Sequence, residues 1–330
     1  MFAEVALTRD AMDPAGIGSE NEGYGIAKLE QLLREIESAA IIGTPRGWDW
    51  WQEVDQHLRE VSERTDVSAF ARERYDSVRQ SLSELHLSIR PRADTRYSDG
   101  ANEWGQCIAD ADRERSFSVA WGSHQEHKQY DRLRPIIDYA SSDLSPGGGL
   151  ITEPTDDPYR YAASFLSTTA ILKIVDRYLL KRLFDEGKRS RYFTSLKSLE
   201  KHSKLTRNRA YPLQVIEFHH FHAANDDFIA WKPGGNRDRI NQLLRQIFPD
   251  VNLTVNVWGK AEGREFDMHD RFILGDHLGL EMPGGLDIAG KERRMKAMTP
   301  KEVYDQTKIL AQNSGWMKLL DEWKLEPSTY

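Results

Sequence analysis

The residues best suited to chemistry lie in the segment 266–287. His269 and Arg271 are two positions apart, so they point to the same side if this segment is a strand. An imidazole that can attack or protonate, a permanent guanidinium charge and a following glycine pair all suit a phosphate group. The candidate catalytic residues are His269, Arg271 and Asp276, and the candidate ligand-binding residues in this segment are Gly284, Gly285 and Asp287.

The same segment predicts a β-hairpin. Residues 272–274 (Phe-Ile-Leu) are apolar and favour strands, and residues 275–277 (Gly-Asp-His) are typical of a turn. Apolar residues then alternate with Gly279 and Glu281 through 278–282, which is the period of a half-buried strand. We expect the hairpin to hold the candidate residues on a rigid support.

These residues resemble the motif of the phospholipase D superfamily, His-x-Lys-x4-Asp-x6-Gly-Ser/Gly-x-Asn. Here His269 and Arg271 are followed by Asp276 and then by Gly-Gly-Leu-Asp at 284–287. The sequence of this motif is most similar to that of the phospholipase-D-like C-terminal domain of MIT-domain proteins and its bacterial relatives. Arg replaces Lys, Asp replaces the final Asn, and one extra residue precedes the glycines. The resemblance covers roughly residues 165–325.

The resemblance implies an α/β/α domain with a mixed sheet and chemistry without a cofactor. In the family one His forms a phosphohistidine, a second His protonates the leaving oxygen, and the Lys side chains hold the phosphate. A single altered motif therefore implies phosphodiester binding, and nucleic acid is the expected ligand. The alternative is an active, metal-independent phosphodiesterase or nuclease in which a homodimer pairs two copies of His269. The bacterial relatives imply a role beside DNA, such as antiviral defence.

Two further strands carry candidate ligand-binding residues. Residues 171–176 predict a strand that ends in Asp176, similar to the Ile-x-Asp-Pro-Tyr opening of the family with Arg177 in place of Pro. Residues 213–222 predict a strand containing three histidines, of which 219 and 220 must point to opposite faces. These histidines could be structural, could line the site or could bind zinc. The candidates here are Lys173, Arg177, His220 and His222.

Composition predicts a soluble, cytoplasmic protein. Apolar residues make up 39% of the chain and charged residues 29%, and there is no apolar run long enough to span a membrane. The N-terminus lacks the features of a signal peptide. Cys107 is the single cysteine, which excludes an intrachain disulfide and a cysteine-based zinc site.

The net charge of −7 is unevenly distributed. Residues 1–150 contain 27 acidic and 17 basic residues, whereas residues 151–330 contain 25 acidic and 28 basic residues. The stretch 171–209 contains 12 Lys and Arg against 4 Asp and Glu. The basic surface is therefore expected in the half that contains the phosphate-type motif, either as an anion-binding face or as a solvated helix surface.

The predicted fold class is α+β or α/β, with three parts. Residues 1–24 are predicted to be a flexible tail, 25–150 a mainly helical acidic domain of unknown role, and 151–330 the phospholipase D-like domain. The boundary is placed in the Ser/Pro/Gly-rich stretch 141–149. Predicted helices cover 26–42, 48–61, 66–87, 130–139, 180–188, 192–205, 237–248 and 299–323; predicted strands outside the hairpin are 117–121, 171–176, 213–222 and 253–258.

The acidic half offers two weaker sites. Tryptophans at 48, 50 and 51 could stack on bases, anchor a protein partner or pack between helices. His124, His127 and Asp131 could bind a metal, although exposed side chains of this kind need no such role. A third functional alternative is therefore an interaction or regulatory protein in which the acidic half binds a protein partner.

Overall fold

The computed structural model describes residues 3–7, 12, 22–46, 49–64, 66–85, 88–96, 119–121, 169–206, 211–221, 235–260, 271–283, 285–286, 296–311, 315 and 317–327. The chain divides into two compact units, Met1–Ser145 (unit 1) and Pro146–Tyr330 (unit 2). Each unit has its own sheet. The predicted helix at 130–139 and the predicted linker at 141–149 lie outside the described residues.

Unit 1 combines helices with a parallel sheet. Its described strands are β1 (Ala3–Leu7), β2 (Ala40–Arg46), β3 (Ile89–Arg96) and β4 (Val119–Trp121), and its described helices are α1 (Glu22–Ala39), α2 (Trp50–Ser62) and α3 (Ala69–Leu85). The sheet order is β3-β2-β1-β4, and each neighbouring pair is parallel. Strand β1 is therefore central, between β2 and β4.

The core of unit 1 forms between the helices and one face of this sheet. Apolar stripes of α1, α2 and α3 bury Leu29, Leu58 and Val78 against Val5 and Ile42. Helices of this kind obtain most of their stability from such packing.

Two of the three clustered tryptophans have structural roles. Trp50 is 1% exposed, and its Nε1–H donates to the carbonyl of Leu7 at 2.6 Å. The half-buried Trp51 donates to the carbonyl of Leu82 at 3.1 Å. The packing interpretation of the cluster is confirmed for these two residues, and Trp48 lies outside the described residues.

Residues 25–150 were predicted to be mainly helical, but the described part of unit 1 also contains a four-stranded parallel sheet. Residues 3–7 were assigned to a flexible tail but form the central strand β1, and the helix predicted over 26–42 ends at Ala39, where β2 begins. The apolar residues Ala40, Ile41 and Ile42 continue the helical spacing of α1, so periodicity alone does not reveal the change. The short strand predicted over 117–121 is confirmed by β4.

Unit 2 is organised around a larger, mixed sheet. Its described strands are β5 (Ile171–Val175), β6 (Val215–Phe221), β7 (Asn252–Lys260), β8 (Phe272–Leu274), β9 (Gly279–Glu281), β10 (Lys296–Met298) and β11 (Met317–Leu325). Its described helices are α4 (Leu179–Glu186), α5 (Arg191–Thr206), α6 (Gly235–Ile247) and α7 (Pro300–Ile309), with a 3-10 turn at Gly187–Arg189. The sheet order is β10-β9-β8-β5-β6-β7-β11.

Helices cover both faces of this sheet. Strands β5, β6 and β7 are parallel, so the crossover helices α4, α5 and α6 pass over one face, where the rings of Phe218 and Phe248 lie 6.1 Å apart. Helix α7 packs on the opposite face, where Val303 joins a cluster with Val175 and Trp258. The helices and mixed sheet confirm the coarse fold class predicted for this half.

One terminal element was predicted wrongly. Helix α7 begins with the expected capping box, in which Thr299 and Glu302 satisfy each other's backbone N–H groups. The helix predicted to continue to 323 instead gives way to β11, which pairs antiparallel with β7. Met317 and Trp323 alternate with exposed residues, as in a strand, whereas the 49%-exposed Leu320 produced an apparent helical spacing.

Candidate functional site

The strand directions in unit 2 bring two distant segments to one edge of the sheet. Strand β8 runs antiparallel to β5, with Phe272 opposite Val175. The residue before β8, Arg271, therefore lies beside the residue after β5, Asp176. This edge is also the carboxyl end of the three parallel strands, where ligands commonly bind in open α/β sheets.

Asp176 is the buried centre of this edge, with 1% of its surface exposed. Its carboxylate accepts the backbone N–H of Tyr178 at 2.8 Å, the backbone N–H of Leu286 at 3.4 Å and a hydrogen bond from the side chain of Tyr192. Burial raises the pKa of Asp176, although these hydrogen bonds and the charge of Arg271 act in the opposite direction. Asp176 therefore positions its neighbours rather than presenting a charge to solvent.

Arg271 is held at the rim of this edge. Its Nη1 donates to the carbonyl of Pro283 at 3.1 Å, and its guanidinium lies 5.1 Å from the ring centre of Tyr178. The guanidinium of Arg177 lies 4.7 Å from the same ring. Nε of Arg271 is buried with no acceptor among the described residues. Two cationic groups beside one aromatic ring create a positive potential that favours an anion.

Gly285 fixes the position of Arg271. Its φ is +69°, and a Cβ at this position would lie 2.6 Å from Cδ of Arg271 and 2.8 Å from Oδ2 of Asp176. The turn is tied in place because the N–H of Gly285 donates to Met282 at 2.7 Å, and the N–H of Met282 donates to the carbonyl of Arg271 at 2.7 Å. Glycine is therefore required at position 285 for two reasons: the positive φ of its backbone, and the close approach of Arg271 and Asp176 to its Cα.

The structure thus brings together three of the predicted site residues, Arg177, Arg271 and Gly285. The residues missed as members of this site were Asp176, Tyr178 and Tyr192. The Asp-x-Tyr sequence at the end of β5 is a usable signal for the first two, because it resembles the Ile-x-Asp-Pro-Tyr opening of the family. Tyr192 had no such signal because it lies on α5.

His220, which was predicted to bind ligand, is buried in the structure. It lies at the same edge, next to Asp176 in the strand register, but it is 1% exposed. His219 points to the opposite face and is also buried. Neither imidazole therefore presents more than 4% of its residue's surface to solvent.

Asp276 was predicted to be catalytic, but it lies at the other end of the sheet from Arg271. Its Oδ2 accepts the backbone N–H of Ala170 at 2.7 Å and that of Ile171 at 3.4 Å, just where β5 begins. Its own N–H donates to Oγ1 of Thr169 at 2.6 Å. Arg271 lies beside Asp176, whereas Asp276 contacts Ile171, and the five positions from Ile171 to Asp176 cover about 16 Å of extended chain. Asp276 therefore joins the β8–β9 turn to β5 and cannot share a ligand atom with Arg271.

Replacing Asp276 by alanine is expected to destabilise unit 2 by about 1–3 kcal/mol, because two backbone donors would lose their acceptor. Asp276→Asn keeps an acceptor oxygen and is expected to cost less than about 1 kcal/mol. Urea unfolding followed by tryptophan fluorescence measures both values. A change below about 0.5 kcal/mol for Asp276→Ala would contradict the structural role.

Lys173 was predicted to bind ligand, but it faces the α7 side of the sheet and forms an ion pair with Glu217. Glu217 also accepts from Nε2 of His219 at 3.3 Å, and Nδ1 of His219 accepts the Nε1–H of Trp258 at 3.0 Å. Trp258 thereby fixes the imidazole tautomer, with the proton on Nε2. Lys173 is part of this internal network and is not available to a ligand.

The remaining predicted residues lie outside the described part of the chain. These residues are His222, His269, Gly284 and Asp287, together with the possible metal ligands His124, His127 and Asp131. Within the described ranges, no group of three or more His, Cys, Asp or Glu side chains is arranged to hold a metal ion.

Comparisons with known proteins assign no family. The chain matches no protein-family model, and no curated protein sequence is significantly similar to it. Among the helices that the structure describes, none has the length and apolar character needed to cross a membrane.

Proposed function

We propose that unit 2 is a phospholipase D-like domain that binds the phosphodiester backbone of nucleic acid without cleaving it. The observation that carries this proposal is the placement of Arg271, whose guanidinium is held at the carboxyl edge of the sheet by Pro283, Tyr178 and Gly285. A guanidinium binds phosphate through two parallel hydrogen bonds and does not release its proton. Such a group suits binding better than acid–base chemistry.

The surroundings of Arg271 support the same function. Arg177 adds a second positive charge beside Tyr178, and burial disfavours the charged form of Asp176. The repulsion that this carboxylate would exert on a phosphate is therefore reduced. Helices α4 and α5, which follow Arg177 in the chain, are also rich in basic residues, among them Lys181, Lys197 and Lys201.

Arg271→Ala is expected to weaken binding of a fluorescein-labelled single-stranded oligonucleotide by about ten- to hundredfold, the value of one charge-assisted pair of hydrogen bonds. Arg271→Lys keeps the charge but loses the two-pronged geometry, so it should give an intermediate loss. Fluorescence anisotropy at fixed salt measures each dissociation constant. Thermal unfolding of each variant establishes that it is folded at the assay temperature.

Lys204→Ala is the charge-matched control. Lys204 lies near the C-terminal end of α5, where it pairs with Glu200 and Asp250, so its removal changes the net charge equally but leaves the site intact. Equal losses of oligonucleotide affinity in Arg271→Ala and Lys204→Ala would show that only the net charge matters, which would contradict the proposed site. Hydrolysis of the oligonucleotide that is lost in His269→Ala would instead contradict binding without cleavage and favour the phosphodiesterase alternative.

A further inference from the structure

A second basic pocket lies where α4 turns into α5. Gly187 ends α4 with φ +59°, and the following 3-10 turn reverses the chain so that α5 can begin at Arg191. This reversal brings three arginines around one concave space of about 330 Å³. The residues that line it are Arg182, Glu186, Arg189, Arg191 and Tyr192.

The charge of this pocket favours an anion. Three guanidinium groups face one carboxylate, and Glu186 pairs with Arg182 at 2.7 Å. The residues that line the pocket therefore carry a net charge of +2, and the positive end of the α5 helix dipole lies beside them. Guanidinium groups that converge on a concave surface are well suited to phosphate oxygens.

Tyr192 connects this pocket to the site at Arg271. Tyr192 lines the pocket, and its side chain hydrogen-bonds to Asp176. Asp176 in turn lies against Gly285, which contacts Arg271. Tyr192 and Asp176 therefore connect the two basic sites.

We propose that the pocket of Arg182, Arg189 and Arg191 binds a second phosphate of the same nucleic-acid strand whose first phosphate is bound at Arg271. This inference rests on the proposed function. A single nucleic-acid strand suits this arrangement because it presents regularly spaced phosphates and exposed bases, and Tyr178 offers an aromatic ring beside the guanidinium groups of Arg177 and Arg271. Four of the five residues that line the pocket are charged, so its lining suits a phosphate better than an apolar group.

The test uses the full-length double variant Arg189→Gln/Arg191→Gln. It should bind a labelled ten-nucleotide thymidine oligomer about tenfold more weakly than the wild type. Loss of one phosphate contact should also reduce the slope of log K against log salt by about 0.7. The control is Lys204→Gln/Lys324→Gln, which removes the same charge from unit 2 outside the pocket and should leave the slope unchanged.

Arg271→Ala is measured in parallel, so that the two proposals can fail separately. If Arg271→Ala weakens binding and the pocket variant does not, the second phosphate site is wrong and the proposed function stands. If the pocket variant weakens binding and Arg271→Ala does not, the proposed function at Arg271 is wrong. The proposal that one nucleic-acid strand occupies both sites is then also wrong. Equal slopes for the pocket variant and its lysine control would also overturn the inference.

Discussion

Replacing Gly285 by alanine is expected to weaken oligonucleotide binding by at least about tenfold and to destabilise unit 2 by about 1–3 kcal/mol. The backbone at Gly285 has φ +69°, where a side chain is strained. An added Cβ would lie 2.7 Å from Nη1 of Arg271, so the guanidinium must move away from Pro283. Anisotropy and thermal unfolding measure the two effects separately.

Gly315→Ala is the matched control for the backbone strain. Gly315 has φ +73°, but nothing lies within 4 Å of the position that its Cβ would occupy. This variant should therefore lose a similar amount of stability from strain and retain full oligonucleotide binding. If both variants bind like the wild type, Gly285 does not hold Arg271 in a position that binds the oligonucleotide, and its proposed role in the site is wrong.

Glu217→Ala is expected to lower the free energy of unfolding by about 3 kcal/mol at pH 7, because it leaves the amine of Lys173 in a largely buried position without its partner. His219 would also lose the acceptor of its Nε2–H. Oligonucleotide binding should be unchanged, because Lys173 faces away from Arg271. Chemical denaturation measures the first effect and anisotropy the second.

The control for this loss is Glu186→Ala. Glu186 forms an equally direct ion pair with Arg182, but the two side chains are 37% and 53% exposed. Solvent screening limits the contribution of such a pair to less than about 1 kcal/mol. Similar losses in Glu186→Ala and Glu217→Ala would show that burial does not strengthen the internal network.

The same network predicts how stability changes with pH. Although burial alone would raise it, the hydrogen bond from His219 and the charge of Lys173 lower the pKa of Glu217 to about 2. Its contribution is present above pH 4.5 and is lost as the pH falls towards 2. Burial lowers the pKa of His219 below 6.5, so its contribution is lost below that pH. Comparison with Glu217→Gln cancels the contribution of Asp176, whose raised pKa acts in the opposite direction.

Much of unit 2 could be predicted because its signals are local. The apolar segments that became β5, β6 and β7 are continuous, and α6 has a clear buried stripe. Arg271 and Gly285 could be placed in one site because a hairpin and its following turn join them. Their buried partner Asp176 was harder to assign, because the strand pairing that brings it there is a property of the whole sheet.

The errors arose where local pattern and tertiary structure disagree. The residues Ala40 to Ile42 keep a helical spacing but become β2 because two parallel neighbours are available on the sheet. Arg271 and Asp276 are close in sequence, but an extended strand carries them to opposite edges. Lys173 and Glu217 have the polarity of a binding surface, and only the covering helix α7 shows that their face is internal.

The hydrogen bond between Leu286 and Asp176 joins residues that are 110 positions apart in the chain. A nucleic-acid strand bound by both Arg177 and Arg271 would link the same two distant segments of the chain. These segments come together only when the sheet has formed. Occupancy and folding are therefore thermodynamically coupled, and the unfolded polypeptide offers no comparable place for the ligand. Nucleic acid held at this edge would act as a reversible cross-link that protects the sheet against opening.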